Sequence, residues 1–201
     1  DQLGAMGAGV ESDRLDAMPA VMRRQLLGPY VLGVTFLARG DVDAAWAHPP
    51  RSSEQILHPD KYWNPKVRDE PKPVSIPNPS RSLGDGWTRA GFGVLGELTL
   101  GSLVGAATPT ASELASSRVA WTNPAASGWG GDRFELWTSG DASVVLLATV
   151  WDTAKDAAEF AAALPAARAG FVFKRAGTKV GIVAGQFGDR RDALLALLVK
   201  P

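Results

Sequence analysis

"DRFELWTSGDASVVLLATVWD", residues 132–152, reads as a strand, a Ser-Gly-Asp turn and a second strand. Aromatic and β-branched residues fill both arms, and glycine breaks them where the chain must reverse. The pattern returns at residues 170–185, "GFVFKRAGTKVGIVAG", a second hairpin about Ala-Gly-Thr. Each hairpin is followed by a helical stretch. The first is the alanine-rich "TAKDAAEFAAALPAA", with Asp152 or Thr153 as its cap, and the second is the amphipathic "DRRDALLALLVK". The ββαββα order predicts an α+β fold, with an antiparallel sheet of about four strands near 133–138, 143–151, 171–175 and 179–184 and helices on one face.

Working outward toward the N-terminus, the chain turns helical. In "SDRLDAMPAVMRRQLLGPYVLGVTFLARG", Leu15, Met18, Met22, Leu26 and Leu27 stand near helical spacing. Gly28-Pro29 predicts a kink or a short break, since proline removes a donor and crowds the preceding turn. "YVLGVTFLA" is apolar all round and is expected to be buried on most sides. Asp41 can cap the short helix "VDAAWAH", and Ser52 or Ser53 the helical "SSEQILH" that Pro59 stops. Residues 64–86 hold five prolines with no period, so they predict an extended wrap held down by Val74 and Ile76. "WTRAGFGVLGELTLGSLVGAA" returns to helical spacing through Phe92, Leu95, Leu98 and Leu103, and Thr110 to Glu113 form a capping box for another helix. Residues 10–128 thus read as a helical region with a proline-rich loop, and 129–201 as the sheet region, sharing one core.

Of 201 residues 45% are hydrophobic, which suits a globular chain, and Lys+Arg and Asp+Glu both number 21. No overall basic field exists to neutralise nucleic-acid phosphates, and no polybasic run marks a membrane surface. No apolar run reaches the ~20 residues of a membrane span. With no cysteine, disulfides, thiolate nucleophiles and Cys-ligated metals are excluded.

Three places carry candidate chemistry. Glu54 and His58 stand four apart on a short helix, where a carboxylate could orient an imidazole. The alternative is an anchor, in which this turn with Pro59 and Tyr62-Trp63 pins the start of the proline loop. In "SGWGGDRFELW", glycines around Trp129 could admit a ligand to Asp132 and Arg133, or could simply form a sharp turn with Trp129 in the core. Glu97, in the apolar "VLGEL", requires a partner or a proton, and Arg133 is the expected one. The only histidines, His48 and His58, are ten apart, so no zinc site is expected and no cofactor is implied. An enzymatic reading would gather Glu54, His58, Glu97 and Asp132 into a hydrolytic cluster. A binding reading leaves catalysis out.

The ordered motifs "PYVLGVTF", "PPRSSEQILHPDKYW", "LGE" and "GWGGDRF", over roughly residues 15–160, resemble a family of bacterial envelope proteins with "PYxxGxxF", "PPxSTEQILHPEKY", "LGE" and "GWGGDRY" in the same order. In that family the preceding part resembles a zinc metallopeptidase with an HExxH helix and a downstream glutamate. The resemblance implies a secreted or lipid-anchored envelope metallopeptidase. The missing HExxH turns the expectation for this chain to a non-catalytic accessory or binding domain with a protein or peptide partner. It would be either C-terminal to a metallopeptidase-like segment or a member that lost the motif. HExxH itself is absent here, so these residues lack that zinc chemistry.

Overall fold

Both expected hairpins form. The computed structural model describes residues 17–105, 121–166 and 170–200, and the fold is α+β. The described residues divide into two compact units, one of residues 17–69, 98–105 and 121–123 and one of 70–97, 124–166 and 170–200.

In the second unit, β2 (Trp129–Ser139) pairs with β3 (Ala142–Trp151), and β4 (Phe171–Ala176) with β5 (Lys179–Gly185), all antiparallel. Each hairpin closes through two residues, with Gly140 (φ 53) and Gly177 (φ 58) in the left-handed region that a side chain would resist. β3 also pairs with β5. A fifth strand, β1 (Thr88–Gly93), extends the sheet to the order β1-β2-β3-β5-β4. This corrects two expectations, the helix over "WTRAGFG" and the count of four strands. The β1–β2 register slips between Arg89 and Gly91, and that bulge hides the strand's alternation from the sequence.

Alternation sorts the sheet's faces. Val144, Leu146 and Ala148 share a buried cluster with Val172, Val183 and with Leu194, Leu195 and Leu198 of a C-terminal helix (Arg191–Leu198). Trp151 points the other way and packs against the tilted Phe160 ring, at 4.4 Å between ring centroids, from the helix Ala154–Ala163. The two helices therefore cover opposite faces rather than one. Thr153 caps the Ala154–Ala163 helix in a capping box with Asp156.

The proline-rich stretch behaves as a strap. The backbone N–H of Lys72 donates to the Gly130 carbonyl at 2.7 Å, and Val74 and Ile76 pack on the cluster beneath the C-terminal helix. It is not structureless throughout, since Ser80–Leu83 form a helical turn that drives Leu83 fully into that cluster.

The first unit is built on α1 (Ala20–Leu37), which runs through Pro29 as one helix, without a break. Its burial also departs from expectation. Tyr30 and Val34 are 75% and 71% exposed, while Arg24 is buried, its guanidinium 5.3 Å above the Trp121 ring and donating to the Trp121 carbonyl. Asp41 caps α2 (Val42–Ala47), accepting from the Asp43 and Ala44 N–H groups. Ser52 caps α3 (Ser53–Leu57), and α4 (Asp60–Trp63) follows Pro59. The capping box at Thr110 to Glu113, and Leu15, lie outside the described residues. No helix among the described residues is long and apolar enough to cross a membrane.

Candidate functional site

The Glu54–His58 segment is assembled as an anchor. Glu54 is buried and takes the Lys61 Nζ at 2.6 Å, and the same ammonium reaches Asp69 Oδ2 at 2.9 Å. His58 ends α3, its backbone N–H donating to the Glu54 carbonyl at 2.7 Å. Gln55 ties the segment from inside, donating to the Asp69 carbonyl and accepting from the Arg51 N–H. Phe36, Tyr62 and Trp63 form an aromatic cluster, and the Tyr62 hydroxyl donates to the His48 carbonyl. The Glu54 carboxylate is therefore committed to an ion pair that fixes the start of the proline loop.

The glycines of "GWGGDR" admit the chain's own strap. A Cβ on Gly131 would stand 2.3 Å from the Lys72 carbonyl oxygen, and one on Gly130 2.9 Å from the Lys72 Nζ. Trp129 is buried, and its indole N–H donates to Asp132 Oδ1 at 2.9 Å. Asp132 also accepts the backbone N–H of Leu95 on Oδ2 and of Gly96 on Oδ1, each at 2.8 Å. These are the donors at the start of the helix Gly96–Leu103, so the carboxylate caps it. Burial pushes the Asp132 carboxyl above the usual aspartate value, against the pull of the three N–H donors.

The expected Glu97–Arg133 bridge is not formed. Glu97 is buried as anticipated, but Arg133 turns to the opposite face of β2 from Asp132, as neighbours in a strand must. Its guanidinium lies 4.1 Å from the centroid of the Phe92 ring, and its nearest carboxylate is Glu135 Oε1, at 3.9 Å. The link between "VLGEL" and "GWGGDR" exists, but Asp132 makes it.

Arg133 leads to a site that the sequence reading missed. Along one face of β2 stand Arg133, Glu135 and Trp137, and across from them on β1 stand Phe92 and Arg89. Glu135 is buried. It accepts Arg89 Nη1 at 3.0 Å on Oε1 and the Trp137 indole N–H at 2.9 Å on Oε2. Arg89 also lies against Phe92, at 4.9 Å, and Phe92 is mostly exposed. Beside this cluster is a cavity of about 340 Å³, walled by Arg89, Glu135 and Trp137 on the sheet and by Ile76 and Asn78 to Ser80 on the strap. The Asn78 side chain braces that wall, accepting from the Ser80 N–H and hydroxyl. The alternating Arg-x-Glu-x-Trp of β2 was visible in the sequence. Its partners on β1 were not, because that strand was read as helix.

A domain of unknown function (DUF8575) matches residues 85–192, more than half of the chain. The chain belongs to that family. The match takes in Arg89, Phe92, Arg133, Glu135 and Trp137, and also Trp129 and Asp132. No curated protein and no solved structure matches the chain.

Proposed function

We propose that this chain is a non-catalytic binding domain, which receives an extended segment of a partner protein in the groove between the strap and β1. The observation that carries this reading is the groove itself. It is walled by a mixed polar and aromatic surface, Arg89, Glu135 and Trp137, and lies beside the sheet's edge strand. Edge strands with adjoining side-chain pockets suit extended peptides, since the backbone supplies affinity and the pockets supply choice. The carboxylates that a hydrolase would need are otherwise engaged. Asp132 holds three N–H donors and Glu54 holds an ammonium. In the envelope-protein family that the motifs resemble, such a domain would follow a metallopeptidase-like segment and present its partner outside the cell.

Capped extended pentapeptides titrated into the 15N-labelled chain test the reading. Amide shifts at Asn78–Ser80 and Arg89–Gly93 are expected. No shift at either segment with any peptide would reject the groove. Turnover of a quenched fluorogenic peptide, lost in both Glu54→Gln and Asp132→Asn, would favour a hydrolase instead.

A further inference from the structure

Glu135 is one carboxylate shared by two guanidinia, so the cluster around Phe92 carries one unmatched positive charge. Arg89 has the close bond, at 3.0 Å, and Arg133 stands off at 3.9 Å. Among the described residues no acceptor lies within hydrogen-bond distance of the Arg133 guanidinium. Its side chain is nonetheless only 25% exposed, and the Phe92 ring lies against it at 4.1 Å. A guanidinium held against an aromatic ring samples fewer rotamers than one free in solvent, so less entropy remains to be lost when an anion docks.

We infer that Arg133, lying over Phe92 and flanked by Arg89, is the recognition point for a carboxylate side chain of an acidic partner segment. This rests on the groove reading and names the chemistry of its occupant. Charge complementarity selects the ligand. The local excess is a single positive charge, which one carboxylate neutralises. A phosphate dianion would exceed it and would sit close to Glu135. The exposed Phe92 edge then packs against apolar residues flanking the acid, so the preferred segment alternates acidic and aliphatic residues in extended form.

The test uses the full chain, 15N-labelled, at low ionic strength, where screening is weak. Two capped probes are compared, acetyl-Val-Glu-Val-Glu-Val-amide and the same peptide with Gln for Glu. The acidic peptide is expected to bind about tenfold more tightly, the worth of one charge-assisted fork. It should shift the Arg133 side-chain Nε–Hε resonance together with the Phe92 amide. Arg133→Gln should erase the difference between the probes. Arg133→Lys, which keeps the charge and loses the fork, should retain part of it and covers the case in which the Gln variant does not fold. Equal affinity of the two peptides overturns the carboxylate assignment and leaves the groove reading standing. Shifts from neither peptide overturn both.

Discussion

The indole N–H of Trp129 and the carboxylate of Asp132 meet at 2.9 Å, three residues apart on one strand. Side chains on one face of a strand stand two apart, and the other two buried tryptophans on strands follow that rule. Trp137 donates to Glu135 and Trp151 to Thr149. The extra residue at Trp129 comes from the bulge between Trp129 and Gly131. The bulge therefore settles that Asp132, and not Arg133, faces the helix start at Leu95 and Gly96.

Asp132→Ala should cost roughly 3–5 kcal/mol, because three N–H groups, two of them in buried bonds, lose their acceptor at once. Asp132→Asn keeps an oxygen but sets an N–H₂ against one of those donors, and should cost about 1–3 kcal/mol. The pH dependence has a definite sign. Burial raises the Asp132 pKa, so the folded state holds this proton more tightly than the unfolded chain. Its contribution is complete below the ordinary aspartate range and declines as pH rises through the raised value. Urea midpoints from about pH 4 upward should thus fall more steeply for the native chain than for Asp132→Asn. A shallower native slope would mean that the three donors outweigh burial.

Gly131 and Gly91 form a matched pair of tests on the sheet. An alanine at Gly131 must displace the Lys72 carbonyl from 2.3 Å, so Gly131→Ala should lose about 1–3 kcal/mol and speed hydrogen exchange at the Lys72 amide. At Gly91 nothing lies within 4 Å of an added Cβ. Gly91→Ala should be neutral, or stabilising by up to about 1 kcal/mol through the unfolded chain. Thermal denaturation of both variants distinguishes close approach from mere glycine content.

The hairpins were legible because aromatic and branched apolar residues fill their arms, from Phe134 to Trp137 and from Val144 to Val150, with glycine at each reversal. β1 was not legible. Its Arg89–Gly91 bulge and two glycines erase period 2, and the glycine-rich run then mimics a helix interrupted for packing. The anchor at 51–63 was legible in kind, from Ser52, Pro59 and the paired aromatics. Its partners were not, because Lys61 reaches Glu54 and Asp69 across helix ends that no local period relates. α1 deceived in another way. Its hydropathy says that it is apolar, but not that Arg24 faces inward while Tyr30 and Val34 face out.

Lys61 should prove to be the keystone of the anchor. Glu54 is almost wholly buried, and Lys61 remains in part accessible, at 24%. Lys61→Met takes the ammonium from Glu54 and should cost roughly 2–4 kcal/mol, toward the low side of a broken buried pair. Glu54→Gln with Lys61→Met should cost less than the sum of the singles, since the second change removes the charge that the first stranded. Chemical denaturation of the four proteins reads the coupling, and strict additivity would show the pair to be idle.

Leu83 tests whether the strap belongs to the fold or merely lies on it. Its side chain is completely buried among Trp137, Val144 and Leu194, at the end of a segment that the sequence marks as an irregular proline-rich run. Deleting a buried leucine to alanine removes transfer energy and leaves a cavity, at about 2–5 kcal/mol. Val67 lies in the same run but is half exposed, so Val67→Ala should stay within about 0.5 kcal/mol. The two variants also differ in where they loosen the chain. If Val74, Ile76 and Leu83 hold the strap as one unit, Leu83→Ala should open residues 70–79 to protease well before the sheet unfolds, whereas Val67→Ala should not. Equal protease resistance of Leu83→Ala and the native chain would show the strap to be held by Lys72 and Val74 alone, with the helical turn at Ser80–Leu83 a passenger.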